Sequence, residues 1–101
     1  ASGVRVNCIR PGLVNTELVS FVTGGGPVLD DYLDCMPISR VGEVGDIAAM
    51  ARFLVGPEST WVTGQVINVD GGHILRRGPD YRAFVEPIYG ADGLRGIVPP
   101  A

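Results

Sequence analysis

The chain contains no lysine. Histidine occurs once, as His73, tryptophan once, as Trp61, and cysteine twice. One histidine and two scattered cysteines make no metal site of recognisable ligand spacing. Cys8 falls in an expected buried strand and Cys35 in an expected helix, so both read as reduced core thiols of a cytoplasmic protein. A basic excess is missing too, since the formal net charge is −3. That argues against a nucleic-acid partner, and the single basic pair Arg76-Arg77 is too small for that role. No apolar run approaches the roughly 20 residues that span a bilayer, so no membrane is expected as a partner. The start, Ala1-Ser2-Gly3, has no initiator methionine and neither the basic region nor the apolar core of a signal peptide.

What is present is a chain of single-domain length, 46% apolar, which is not disordered by composition. It is organised around Asn7-Cys8-Ile9-Arg10-Pro11-Gly12-Leu13-Val14-Asn15-Thr16. Residues 4 to 10 form the first expected strand, with Val4, Val6 and Cys8 alternating, as suits a strand buried in a parallel sheet. Asn7 reads as a strand-end polar side chain that satisfies nearby backbone. Pro11 fixes its own φ and has no N–H to leave unpaired. Gly12 lets the chain turn and lets backbone approach a ligand closely. Val14 and Thr16 can offer a backbone amide and a hydroxyl where the next helix opens. In open parallel sheets, ligands sit in the crevice at such strand ends. From these residues alone, the stretch is a ligand-facing turn or simply a structural one.

Glu17 to Thr23 predict a short helical turn with Leu18, Phe21 and Val22 on one side. Gly24-Gly25-Gly26-Pro27 ends it. A second helix carries Val28, Leu29, Tyr32, Leu33 and Met36 at helical spacing, with Asp30, Asp31 and Asp34 on a solvated face. Two short helices on a glycine hinge describe either a lid over substrate or an ordinary helical hairpin. In the connector Pro37 to Gly42, Arg40 reads as a structural arginine, with a ligand contact as the alternative. The next helix runs from about Val44 to Val55, burying Ile47, Ala48, Ala51, Leu54 and Val55, until Gly56-Pro57. Trp61 reads as a core or interface anchor. Gln65 to Val69 is the second strand, and Asp70-Gly71-Gly72 turns the chain out of the sheet. Residues 73 to 101 are rich in Gly, Pro and Arg, and only Tyr81 to Tyr89 is apolar enough to pack. They read as an arm lying on another surface, its last residues frayed. His73, alone and without a partner, reads as a polar surface residue rather than an acid/base.

The pattern Asn-x-x-x-Pro-Gly-x-Val-x-Thr resembles the nicotinamide-side motif of the short-chain dehydrogenase/reductase family. Three more stretches resemble that family in the same order: Pro37 to Gly42, Asp46-Ile47-Ala48 through Phe53-Leu54, and Val62-Thr63-Gly64-Gln65 through Gly71-Gly72. The resemblance covers residues 1 to 72. It implies an α/β fold, the C-terminal part of a Rossmann-type doubly wound parallel sheet: the last two strands with intervening helices, then an arm at 73 to 101. It implies NAD or NADP as cofactor, bound by Pro11, Gly12, Val14 and Thr16, and an alcohol/carbonyl substrate exchanging hydride with it. A homodimer or homotetramer is implied as well. Many relatives carry proline and an acidic residue where this chain has Val44 and Gly45, which puts the start of that helix in doubt.

The family's glycine-rich phosphate loop and its catalytic serine and Tyr-x-x-x-Lys pair do not occur here. No catalytic residue is therefore expected in these 101 residues, and the chain alone is expected to be inactive. Two strands cannot make an independently stable sheet. The expectation is a fragment of an NAD(P)-dependent oxidoreductase, beginning after the helix that would carry tyrosine and lysine. The alternative is a non-catalytic interaction or oligomerisation module derived from the family.

Overall fold

The computed structural model describes residues 2–97 and 100. Two strands, β1 (Cys8–Pro11) and β2 (Val66–Val69), pair in parallel. Their register sets Cys8 beside Val66 and Pro11 beside Val69. The ladder is shorter than the expected strand of residues 4 to 10. Before Cys8 the backbone is fastened to the loop ahead of β2: the Gly64 N–H donates to the Val6 carbonyl, and the Val6 N–H to Thr63 Oγ1. Among the described residues nothing covers β1 from outside, so Val4 and Val6 are exposed. Cys8 is exposed as well, contrary to its expected burial, while Cys35 is buried. Alternation identified the strand, but burial also needs a neighbouring element.

The connection between the strands carries α1 (Ser20–Thr23), α2 (Pro27–Cys35) and α3 (Val44–Val55). A 3₁₀ turn, Glu17–Val19, precedes α1. Of the three apolar residues expected on one side of it, only Val22 is buried; Leu18 and Phe21 are largely exposed. The glycine run stops the helix as expected, Gly25 and Gly26 taking φ of 113° and 109°, and Pro27 opens α2 at a position that tolerates proline. α3 starts at Val44 despite the glycine behind it. Glu43 caps it, accepting from the N–H of Asp46 while the Asp46 carboxylate accepts from the N–H of Glu43. Such a reciprocal box satisfies two otherwise orphaned donors and offsets the propensity cost of Gly45. α3 packs across both strands with Leu54 buried, whereas Val55 at its end is exposed. Arg5 closes that end by donating to the carbonyls of Leu54 and Val62 at 2.8 and 2.9 Å.

Trp61 is 99% exposed, so it is no core anchor of this chain. Its loop turns on Ser59, which is buried and bonds back to Leu54 and Gly56, and the indole extends beyond that turn. After β2, the arm forms a 3₁₀ turn at His73–Leu75 and a helix α4 (Arg82–Leu94) broken at Gly90. It folds back against α2 of the same chain. The expected fraying concerns positions 98, 99 and 101, which lie outside the described residues. Among the described residues no helix is long and apolar enough to cross a membrane.

Candidate functional site

The end of β1 is fixed by a contact with the end of β2. The Gly12 N–H donates to the Val69 carbonyl at 2.9 Å. A Cβ on Gly12 would sit 2.7 Å from both Cα and Cβ of Asp70. The approach that demands glycine here is therefore to Asp70. Asp70 is itself tied down, its carboxylate accepting from the N–H groups of Gly72 and Ile74.

Beyond Gly12 the chain is strapped to the connector. Gly42 donates to the Leu13 carbonyl at 2.9 Å and accepts from the Asn15 N–H at 2.8 Å, a single parallel bridge centred on Val14. In this pattern the bonds go to the residues flanking Val14. Its own N–H points the other way and has no partner among the described residues. Thr16 follows in extended conformation at the mouth of the 3₁₀ turn, where its hydroxyl makes no capping bond. Pro11, Gly12, Val14 and Thr16 all line one open groove of about 640 Å³, with Val19 and Val44 completing its apolar walls. The groove thus combines an apolar surface with one amide and one hydroxyl that have no partner among the described residues.

Several neighbours are committed to structure. Asn7 donates to the Val62 carbonyl and accepts from the Gln65 N–H, holding the loop before β2 as its strand-end position suggested. Arg40 grips both carboxylate oxygens of Asp46, at 2.9 and 3.0 Å. Its guanidinium joins the connector to the first turn of α3. The Arg40 guanidinium, and then the Glu43 N–H, hold the Asp46 carboxyl down at about 2.

Two expectations about polar residues change. Asp31 is not a free surface carboxylate: Arg77 and the Asp80 N–H both bind it. Those bonds, with Arg77 foremost, lower its carboxyl to about 2. His73 is not on the open surface: it packs against the Tyr32 ring at 5.2 Å, and its Nε2 is shielded with no partner among the described residues. Tyr32 shares a hydroxyl hydrogen bond with Tyr81. Burial, then that bond, push the Tyr32 phenol up to about 12, the opposite of what a tyrosine acid/base needs. Among the described residues no group of three or more His, Cys, Asp or Glu could hold a metal. Sequence reasoning missed Arg5 and the Asp31–Arg77 pair. The Glu43-x-x-Asp46 spacing was a visible signal for the cap; partners 46 residues apart leave no local one.

Comparison with known proteins agrees with this geometry. The sequence profile described as enoyl-(acyl carrier protein) reductase matches residues 1–73. The 2,3-dihydroxy-2,3-dihydro-p-cumate dehydrogenase of Pseudomonas putida is 45% identical over 74 residues, 72% of this chain and 29% of that protein. The structure of a short-chain type dehydrogenase/reductase from Mycobacterium ulcerans superposes with a TM-score of 0.91 at 56% identity, over 96% of this chain and 35% of that one. A 7α-hydroxysteroid dehydrogenase solved with NADH and 7-oxo glycochenodeoxycholic acid gives a TM-score of 0.63 at 40% identity, over 67% of this chain and 26% of that one. The chain spans under a third of the length of the curated relatives it matches. Its parallel strands and helices are part of a Rossmann-type α/β fold.

Proposed function

The chain belongs to the short-chain dehydrogenase/reductase family, and we propose that its residues form the nicotinamide side of an NAD(P)-dependent oxidoreductase. The observation that carries this reading is the groove just beyond the carboxyl end of β1, on the side of a parallel sheet where ligands usually sit, where Val14 and Thr16 present donors without partners among the described residues. One end of a dinucleotide fits there. Pro11 and Gly12 form the floor, the Val14 amide and Thr16 hydroxyl bond a carboxamide or phosphate oxygen, and Val19 and Val44 exclude water. When bound, the nicotinamide supplies or accepts the hydride exchanged with an alcohol/carbonyl pair.

Other requirements of the reaction fall on residues that this chain does not contain. It has no lysine and no glycine-rich loop after a strand to cradle a pyrophosphate. We take residues 1–72 as the contribution to the sheet domain and 73–101 as an arm. On its own the chain is redox-inert. The full-length protein should oxidise NADH or NADPH in the presence of carbonyl compounds, or reduce the cofactor with the alcohols, followed by nicotinamide absorbance. Absence of turnover across a broad alcohol/carbonyl panel, together with no binding of either cofactor, would refute the proposal.

A further inference from the structure

The best-formed core of the chain lies at α1 and α2, the segment from Glu17 to Ile38 read as a lid, rather than at the sheet. Val22, Val28, Cys35 and Met36, four of the five buried apolar side chains among the described residues, lie within or directly after α1 and α2. α4 packs on α2, and three links reinforce that contact. Arg77 holds the Asp31 carboxylate with both Nη atoms, at 2.8 and 2.7 Å, and the Asp80 N–H donates to it at 2.6 Å. Tyr81 bonds the Tyr32 hydroxyl with the rings edge-on. Phe84 lies against Phe21 with ring centroids 5.7 Å apart. The Asp31 side chain is only 21% exposed, so this bidentate pair is less screened than an ordinary surface one.

The two segments also share a pivot. The lid ends at Pro37-Ile38 and the arm begins at Gly71-Gly72. These meet: the Ile38 N–H donates to the Gly71 carbonyl at 2.9 Å, and a Cβ on Gly72 would lie 2.9 Å from Pro37 Cγ. Gly71 and Gly72 have φ of 63° and 84°, a conformation that suits glycine. At its other end the lid segment supplies Leu18 and Val19 to the wall of the groove. The family profile ends at residue 73, whereas the likeness to the Mycobacterium ulcerans structure takes in 96% of the chain. The arm is thus an addition to the body described by that profile.

We propose that the arm is a strap that positions the lid, with Asp31 and Arg77 as its positioning residues. Its bonds to α2, with the Pro37–Gly72 contact, hold the lid in place, and through it the groove wall at Leu18 and Val19. The inference rests on the cofactor reading of the groove. Its consequence is that strap contacts far from the groove set how fast a bound nicotinamide leaves.

The test uses the full-length protein, with Arg77→Met, Asp31→Asn, Tyr81→Phe and the charge-swapped double variant Asp31→Arg/Arg77→Asp. Amide hydrogen exchange is followed in α2 and in α3, and NADH release by stopped-flow fluorescence. Arg77→Met, Asp31→Asn and Tyr81→Phe should each speed exchange in α2 and NADH release by about three- to tenfold, with α3 unchanged. The swapped pair should recover part of both. Unchanged α2 exchange in Arg77→Met overturns the strap, and so does faster exchange with unaltered NADH release. Equal acceleration in α3, or no recovery on swapping, marks a general loss of stability and overturns it as well. A wild type that binds no NADH and no NADPH would sink the oxidoreductase reading instead, and the exchange rates would still judge the strap.

Discussion

One added carbon at Gly12 has nowhere to go, because the atoms it would meet, at 2.7 Å, are Cα and Cβ of Asp70. Asp70 cannot retreat freely: its carboxylate holds two backbone N–H groups of the turn that follows. Gly12→Ala in the full-length protein should therefore cost about 1–3 kcal/mol, as overpacking does, visible as a lower denaturant midpoint at constant m-value. Thr16 is a different case. Its hydroxyl caps nothing, so removing it leaves the turn intact. Thr16→Ala should leave stability nearly unchanged and weaken cofactor binding by about 0.5–1.5 kcal/mol, one hydrogen bond to a neutral group. An NADH titration of the full-length variant checks this, and an unchanged Kd with unchanged kcat/KM would remove Thr16 from the site.

The capping box of α3 makes that helix sensitive to acid. Asp46 titrates at about 2 because Arg40 and the Glu43 N–H stabilise its charged form, below the usual carboxylate value of about 3.9. A depressed pKa contributes stability above the unfolded value and loses it as pH falls through the folded one. Amides in the first turn of α3 should therefore lose protection between about pH 4 and pH 2, and Asp46→Asn should abolish that dependence in a hydrogen-exchange series. Much of α3 was legible in the sequence: the apolar spacing, Gly56-Pro57 and the stop at Val55 are local features. The glycine break before Pro27 and the turn at Gly71-Gly72 were legible for the same reason. Burial was not, because it depends on what lies opposite. Cys8 alternates like a buried strand residue, yet faces no element among those described. Trp61 has the chemistry of an anchor but extends from a tight turn. Asp31 looks like its neighbours Asp30 and Asp34 until Arg77 is brought to it across 46 residues. The four residues named from one motif line one groove, but the close approach of Asp70 to Gly12 required the structure.

As a whole the molecule is extended, with a radius of gyration of 18.3 Å and extents of 58 × 32 × 25 Å. A compact domain of about 100 residues has a radius of gyration near 13 Å. Its buried apolar core comprises five side chains among the described residues, while Trp61, Val55 and Val66 are exposed. A two-stranded sheet of this kind needs further strands and covering helices. Exposed apolar residues near β2 also motivate a symmetric assembly of the full-length protein, dimeric or tetrameric. Light scattering at micromolar concentration should report that assembly, and a monomer would remove the idea. The most direct test of the proposed division of labour between these residues and the rest of the oxidoreductase we propose is a titration of the isolated 101-residue chain with NADH and NADPH, beside a thermal melt with a hydrophobic dye. The expected result is dye binding without a cooperative transition, and no saturable enhancement of nicotinamide fluorescence. A sharp cooperative melt together with micromolar cofactor binding would contradict it and make the chain a self-sufficient cofactor-binding domain.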